Sequence, residues 1–587
     1  MTSARKRLSL PLCILLSVVI LSSAACVKMA ITPAPRYPTR HNDYTPTTQN
    51  VPPPPWTDPQ DYPYVAITTP ANGSFIQSGT VAVAGTYAGP AATLTVNGQP
   101  VTLAGGAFSG EIEVAATDVV VPILVTATTT AASYVSSDLS TVFVGAAQKP
   151  AGTTADAIAL DLENSGMAAI GGALARLLND IDITSPLQAR VDRDKAGLID
   201  ITKAQVLGAA VVLNSSTAGL NIGLSVQTID LQATVLGLPI SILIDDVAAD
   251  LVVTLAFDAN HKATVTVVSS SVRIGSLNLS NGVLDALVSY LVGQALDLLV
   301  NALVPGLVEN LFNTMNLTIT ATGFTYQFLP SLAVAADRNF TFGLDGALTV
   351  TDATKWNPQF QPAGYLATPA STPVFPATTP LTDKAYGLGI GAANNALNQL
   401  LYGVAATNTL SFTVTDSILN AALLSVLFFS FDSIDPSTPL ILNLAPSAAP
   451  LAYADAKTGI TNLRLPAYTG QILVDRGAAG NWEALTFAVD LTAPLTVKVN
   501  ADNSFSLLLG ELDINLQVVH NAIGQKNVPN MERLFGEIFQ SILPQLLAGL
   551  TNTKITLPLL AGLQISLADI AAFGAGDDYL GIFVGLN

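Results

Sequence analysis

Leu220, Ile222, Leu224 and Val226 alternate with Asn221, Gly223, Ser225 and Gln227, and the period of two returns in Leu251, Val253, Leu255 and Phe257 before Val265 and Val267. Successive side chains of a strand point to opposite faces, so these runs predict long antiparallel hairpins with one apolar face that must be covered. Asp258-Ala259-Asn260 supplies the turn between the last two runs. After Gln227 the apolar register slips by one, to Ile229 and Leu231, which predicts a bulge of the kind that helps a sheet curl. A cover follows in the chain: from Val283 to about Phe312, Leu284, Leu287, Leu291 and Leu298 share one side of a helix, with Asp285, Ser289, Asp297 and Asn301 on the other. At 1.5 Å per residue that helix spans roughly 45 Å. About 20 apolar residues suffice to cross a bilayer, but Asp285 and Asp297 make a membrane span costly. A sheet with one apolar face and a helix with a wide apolar stripe can form either a packed core or the wall of a lipid cavity.

The same order of elements is met twice. Ahead of the hairpins, Ile158, Leu162, Ile170, Leu174, Leu177 and Leu178 recur at helical spacing between Ala155 and Asn179. Further on come a helix from Leu388 to Tyr402, strands at Leu410, Phe412 and Val414, strands from Phe487 to Leu491 and Phe505 to Leu509, and a helix from Met531 to Leu550. Duplication of one helix-wrapped β-barrel is the economical reading.

Half of the 587 residues are hydrophobic and only 11% are charged, with a mean hydropathy of +0.48. A chain this apolar needs somewhere to hide its surface, and lipid or a lipid-like cavity is a natural answer. Its net charge of -18 repels phosphate backbones, which sets nucleic acid aside as a partner.

The chain opens on Arg5, Lys6 and Arg7, an apolar run from Leu8 to Leu21, and the small residues Ser22, Ser23, Ala24 and Ala25 before Cys26. That is the layout of a secretory leader, residues 1–25, and its apolar run is too short for a firm membrane span. Cys26 behind small residues resembles the lipobox of bacterial lipoproteins, with Ser23 where that family usually carries Leu. The resemblance implies lipidation at Cys26, hence a membrane anchor and a place in the cell envelope as an outer-membrane lipoprotein; plain cleavage after Ala25 would leave a secreted protein. Cys13 leaves with the leader, so the one remaining cysteine can form no intrachain disulfide and no cysteine metal site. Residues 26–64, rich in Pro and Thr and including Pro52 to Pro55, cannot bury a core and read as a tether.

Residues 65–147 carry short alternating segments between turn signals: Val65 and Ile67, Pro70-Ala71-Asn72-Gly73, Val81 and Val83, Leu94 and Val96, Asn97-Gly98, then Val101 and Leu103. This predicts a small β-sandwich. Ile67 to Ser74, Thr95 to Val101 and Ala107-Phe108-Ser109 resemble bacterial immunoglobulin-like modules of exported proteins. Nothing in the module suggests chemistry, and it reads as a spacer or adhesive stalk.

Two later stretches carry a wider resemblance. Tyr386-Gly387-Leu388-Gly389-Ile390, Asn395 to Tyr402, and Leu410 to Asp416 look like the start of the C-terminal barrel in the family of bactericidal/permeability-increasing protein, lipopolysaccharide-binding protein and cholesteryl ester transfer protein. Leu543-Pro544, Ile555-Thr556-Leu557-Pro558 and Asp577 to Val584 resemble that family's last helix and closing strand. The resemblance covers Ala155 to Asn587. It implies an α+β chain of two tandem helix-wrapped antiparallel β-barrels arranged as a boomerang, 153–327 and 381–587, with a crossing sheet at 328–380, all preceded by the immunoglobulin-like sandwich. It also implies an acyl chain held between helices and sheet in each barrel. Carried over by position, the lining residues are Leu174, Leu178, Leu284, Leu287, Leu291 and Leu298 in the first barrel, and Leu397, Leu401, Leu534, Ile538, Ile542 and Leu546 in the second. Each is equally suited to a tight core. The chain lacks the cysteine pair of many animal members and the basic barrel tip used for lipopolysaccharide phosphates. A neutral or weakly polar lipid, held by apolar burial at about 25 cal/mol per Å², suits the acidic chain better.

No catalytic group, cofactor site or metal site is read from the sequence. His41 lies in the tether, His261 beside a hairpin turn and His520 in a strand, with no Gly-x-Ser-x-Gly elbow, metal-ligand cluster or phosphate loop. Asp245-Asp246 and Asp577-Asp578 are adjacent in sequence, point to opposite faces of a strand, and read as turn or rim residues. The expectation is therefore non-enzymatic binding of lipids or other hydrophobic ligands, with or without transfer between membranes. The alternatives are a structural or adhesive envelope protein on the same fold, and an outer-membrane β-barrel, against which the long amphipathic helices speak.

Overall fold

The computed structural model describes residues 63–586 apart from 131–134, 180, 196, 280–284, 314–316, 322, 358–359, 361–363, 368–372, 408–409, 416–437, 456, 476–479, 501–503, 522–553 and 557–564. The described chain is mostly strand, with few helices and with curled sheets. Its helices are α1 (Asn164–Asn179), α2 (Thr184–Lys195), α3 (Asp285–Leu298), α4 (Val304–Asn313) and α5 (Asn394–Ala406).

The leader, Cys26 and the tether as far as Tyr62 lie outside the described residues. The first body is an eight-stranded sheet in the order Tyr64–Thr69, Gly79–Ala88, Ala107–Val114, Gln99–Ala104, Ala92–Val96, Val120–Thr129, Val135–Val144, Phe75–Ile76. It encloses its own core of Val83, Val96, Ile123, Val125 and Val142. Asn97 and Gly98 take left-handed φ of 46° and 79°, the conformation a two-residue hairpin turn demands.

A seven-stranded antiparallel sheet lies at the centre, in the order Leu317–Ala321, Phe324–Ala335, Asn339–Val350, Gly152–Glu163, Leu388–Ala393, Tyr579–Leu586, Ile565–Phe573. Gly152–Glu163 and Leu388–Ala393 pair at the middle, Leu160 opposite Ile390, and each runs directly into a helix, α1 and α5 respectively. The two lead elements therefore begin as strands, where the sequence spacing predicted helix from Ala155 and from Leu388. Ala157 to Leu160 and all of Leu388–Ala393 are buried without a break. A strand covered on both faces loses the period of two and reads like helix. The sheet also draws on residues well outside 328–380, where the crossing was expected. Within that interval, Tyr365–Ala367 pairs with Ala146–Gln148 in a separate two-stranded sheet.

On one side of this centre, Ile199–Ser216, Gly219–Val235, Leu238–Phe257 and Ala263–Arg273 form a sheet of long strands, with Ser276–Leu279 also paired to Leu238–Phe257. The slip after Gln227 is not the one-strand bulge expected: the pairing register is the same on either side, and the apolar phase changes together in three strands, a dislocation through Gly208, Gln227 and Asp246. The ladder passes over Gly208 and Gln227 between Leu207↔Thr228 and Ala209↔Val226, and over Asp246 between Val226↔Val247 and Thr228↔Asp245. Buried positions accordingly change from 220, 222, 224 and 226 to 229, 231, 233 and 235. Gly208 has φ 66°, and a Cβ there would come within 2.6 Å of the Gln227 side chain. Asp245 and Asp246 thus lie inside a strand at this dislocation and not in a turn, with Asp246 at φ 55°. The other long-stranded sheet orders Phe412–Val414, Leu440–Pro446, Ile460–Asp475, Asn481–Val499, Ser504–Leu509 and Lys554–Thr556, with Leu451–Asp455 and Asp513–Asn521 paired alongside. The helix expected from Met531 to Leu550 lies outside the described residues.

Candidate hydrophobic-ligand site

The first long-stranded sheet buries one face continuously: Val206, Val211, Leu213, Ile222, Leu224, Ile229, Leu231, Ile242, Ile244 and Leu251 all belong to one core. Helix α1 lies directly on the strand Ile199–Ser216. A Cβ on Gly171 would stand 2.5 Å from Val211 O, so glycine is what permits this approach. Leu174 and Leu178, further along α1, are buried.

Leu291 and Leu298 on α3 are buried in the same core, and Leu287 is half-buried against it. The buried stripe runs through Val288, Leu291, Val292, Ala295, Leu298 and Leu299. It is rotated from the leucine stripe because Val288 and Ala295 hold its centre. A π-helical turn at Leu299–Leu303 then joins α3 to α4. Pro305, in the first turn of α4, has no N–H to continue an unbroken ladder, and the extra residue absorbs the mismatch. Below it Val304, Val308 and Phe312 continue the buried face. The Phe312 ring packs 5.0 Å from Phe342 and 5.7 Å from Phe340 of the central sheet. The stretch Ala286–Asn310 is long and apolar enough to cross a membrane by length and composition, and it is partly buried inside the protein. On the outer side Asp297 pairs with Arg190 of α2, and the Tyr290 hydroxyl donates to Asp194 Oδ2 at 3.2 Å.

Between residues 164 and 313, Ser215 is the one polar residue among those described that is buried. Buried charge gathers elsewhere, at the end of the central strand Gly152–Glu163. Asp161 Oδ1 accepts from Asn339 Nδ2 at 2.6 Å and Thr341 Oγ1 at 2.9 Å, and Glu163 pairs with Arg338 at 2.9 Å. Burial pushes both carboxyls above the usual carboxylate range.

The second lead helix has different surroundings. Leu401 is buried in the main core and Leu397 is half-buried against it. The opposite side of α5, however, carries amides that the reading of the sequence passed over. Gln399 Nε2 donates to Pro150 O at 2.9 Å, its Oε1 accepts from Thr154 Oγ1 at 2.8 Å, and Asn398 Oδ1 accepts from Ala452 N at 2.7 Å. Asn395, Asn398 and Gln399 stand at three- and four-residue spacing, a polar stripe that was there to be read. Tyr402 closes the end of the helix against Trp356 and Phe360. Leu284, Leu534, Ile538, Ile542 and Leu546 lie outside the described residues.

Of the histidines, His261 sits at the turn after Leu238–Phe257 with Nδ1 2.9 Å from Pro330 O, and His520 lies in the strand Asp513–Asn521. Among the described residues no group of three His, Cys, Asp or Glu is placed to hold a metal ion.

No family model matches the sequence, and no curated protein matches it. Solved structures do. Lipopolysaccharide binding protein is 15% identical with a TM-score of 0.38, over 74% of this chain and 99% of that one. P47 of Clostridium botulinum E1 is 9% identical with a TM-score of 0.20, over 74% and 100% of the two chains. P47 from Clostridium botulinum A2 is 10% identical with a TM-score of 0.21, over 73% and 96%. Likenesses at such TM-scores do not establish a common fold.

Proposed function

We propose that the protein binds lipids or other hydrophobic ligands without catalysing a reaction, in apolar interiors of two tandem helix-wrapped barrels, as an exported protein anchored by a lipidated Cys26. The observation that carries the reading is the interior between the first long-stranded sheet and α1, α3 and α4, where Ser215 is the one buried polar residue among those described. Such a surface rewards an apolar guest by area alone and offers no ionic partner to a charged one. The module from Tyr64 to Val144 is read as immunoglobulin-like, on its short strands and its Asn97-Gly98 turn. A scaffold built on the same fold is the second reading, and the contact of Gly171 with Val211 favours it, since helix and sheet are closed on each other there.

Extraction of the mature exported protein, purified from its native envelope without detergent, tests the choice. Lipid found in a fixed ratio to protein by mass spectrometry supports the carrier, and lipid-free preparations leave the scaffold. Anchoring is tested separately by the mass of the N-terminal peptide in the wild type and in Cys26→Ser. An unmodified Cys26 peptide from the wild type overturns the anchor.

A further inference from the structure

The turn between Gly219–Val235 and Leu238–Phe257 is Leu236-Gly237, with left-handed φ of 51° and 82°. Two-residue turns of this kind favour Asn or Asp followed by Gly, and the chain itself uses Asn97-Gly98 for the purpose in its sandwich. A bulky leucine in the left-handed region is an outlier, and Leu236 is also 59% exposed. Its N–H donates to Leu198 O at 2.9 Å, which brings Leu198, 42% exposed, and Leu238, 52% exposed, to the same apex. Directly beneath, Ile199, Val235 and Ile240 are buried. Neither backbone conformation nor burial explains a leucine at this turn, so its apolar surface calls for a partner outside the chain.

We propose that this apex is a membrane-contacting tip, whose three leucines enter the boundary between headgroups and acyl chains of a zwitterionic lipid surface. A protein partner fits poorly, because three side chains at a turn fall far short of the roughly 800 Å² per partner that a stable interface covers. A bilayer takes up apolar side chains one at a time. The flank of the apex is mixed in sign: Arg193 and Lys195 end α2, with Asp192, Asp194 and Asp200 beside them. Leu198 N donates to Lys195 O at 3.1 Å, and Lys195 Nζ lies 6.0 Å from the centre of the Tyr290 ring. Long cationic and aromatic side chains of this kind settle at a membrane interface. No positive excess surrounds the apex and the whole chain carries -18, so the surface it fits is zwitterionic and not anionic. The contact concerns the exterior of the protein and needs no cargo inside it.

Flotation with phosphatidylcholine vesicles tests this on the chain without residues 1–25 and carrying Cys26→Ser, so that neither leader nor acyl anchor can account for binding. The protein is expected to float with the vesicles. Leu236→Asn, which suits the left-handed turn and removes the apolar apex, is expected to lower vesicle partitioning at least ten-fold with unchanged or higher thermal stability. A Leu236→Trp variant is expected to shift its emission to the blue when vesicles are added. Replacing part of the lipid with phosphatidylglycerol should weaken binding at low salt. Failure of the parent to float, equal flotation of Leu236→Asn, or an emission of Leu236→Trp that vesicles leave unmoved would each overturn the proposal. Stronger binding to the anionic vesicles would overturn the zwitterionic assignment. A vesicle-free dimer that Leu236→Asn converts to monomer would show that the apex meets a second copy instead.

Discussion

The Tyr386 hydroxyl lies 2.6 Å from Pro376 O and 3.2 Å from Asp161 Oδ2. A phenol has one proton, and the shorter contact to Pro376 claims it. The longer contact to Asp161 receives only a weak share of it and pulls little on the carboxylate. Burial raises the Asp161 carboxyl above its ordinary value, against the opposing pull of Thr341, Asn339, Tyr386 and Arg338. A carboxyl whose folded pKa is raised contributes stability that is complete below the unfolded pKa and is lost as pH rises through the folded one. Stability is therefore predicted to fall on going upward from the ordinary Asp range. Asp161→Asn, which keeps an acceptor for Asn339 and Thr341 and cannot ionise, is predicted to flatten that fall at little cost. Urea melts across pH check it; an equally steep fall in the variant would contradict the assignment.

At the scale of elements, the closeness of α1 to its sheet is decisive. Gly171→Ala would place a methyl 2.5 Å from Val211 O. Overpacking of this kind costs about 1–3 kcal/mol, and chemical denaturation is predicted to show a loss in that range. Gly172→Ala is the control, since a Cβ there meets nothing within 4 Å. Leu291 divides the packed core from the occupied cavity. Leu291→Ala in a dry, close-packed interior is predicted to cost about 2–5 kcal/mol, whereas in the wall of a filled cavity it changes the amount of lipid that co-purifies. Elements with one face covered were legible in the sequence. The strands around Leu220 to Phe257 keep their period of two because one side meets the core, and the slip after Gln227 showed as a change of phase. The lead strands Gly152–Glu163 and Leu388–Ala393 were not legible, because burial on both faces erases that period. The stripe on α3 was misplaced by reading leucines alone, when Val288 and Ala295 hold its middle.

For the whole molecule, the first module is a docked part and not a free stalk. Phe75, Val120 and Phe143 meet Leu366, Ala448 and Leu451 in one apolar cluster, and Asn72 Nδ2 donates to Ser447 O at 3.4 Å. Arg464, largely buried, holds Asp490 through two hydrogen bonds and donates to Val120 O at 3.3 Å across the junction. Arg464→Ala leaves Asp490 buried without this partner. Breaking a buried pair costs about 3–5 kcal/mol, and the variant is predicted to become cleavable by protease at the junction under conditions that spare the wild type. Sequence alone could not place this interface, because its residues come from segments far apart in the chain and none stands out from the apolar background. The proposed lipid site is the apolar interior between α1, α3, α4 and the first long-stranded sheet. Mass spectrometry of organic extracts from detergent-free native protein reads this most directly: lipid in a fixed ratio to protein, lowered in Leu291→Ala, is predicted, and repeated lipid-free extracts of fully folded protein would contradict it.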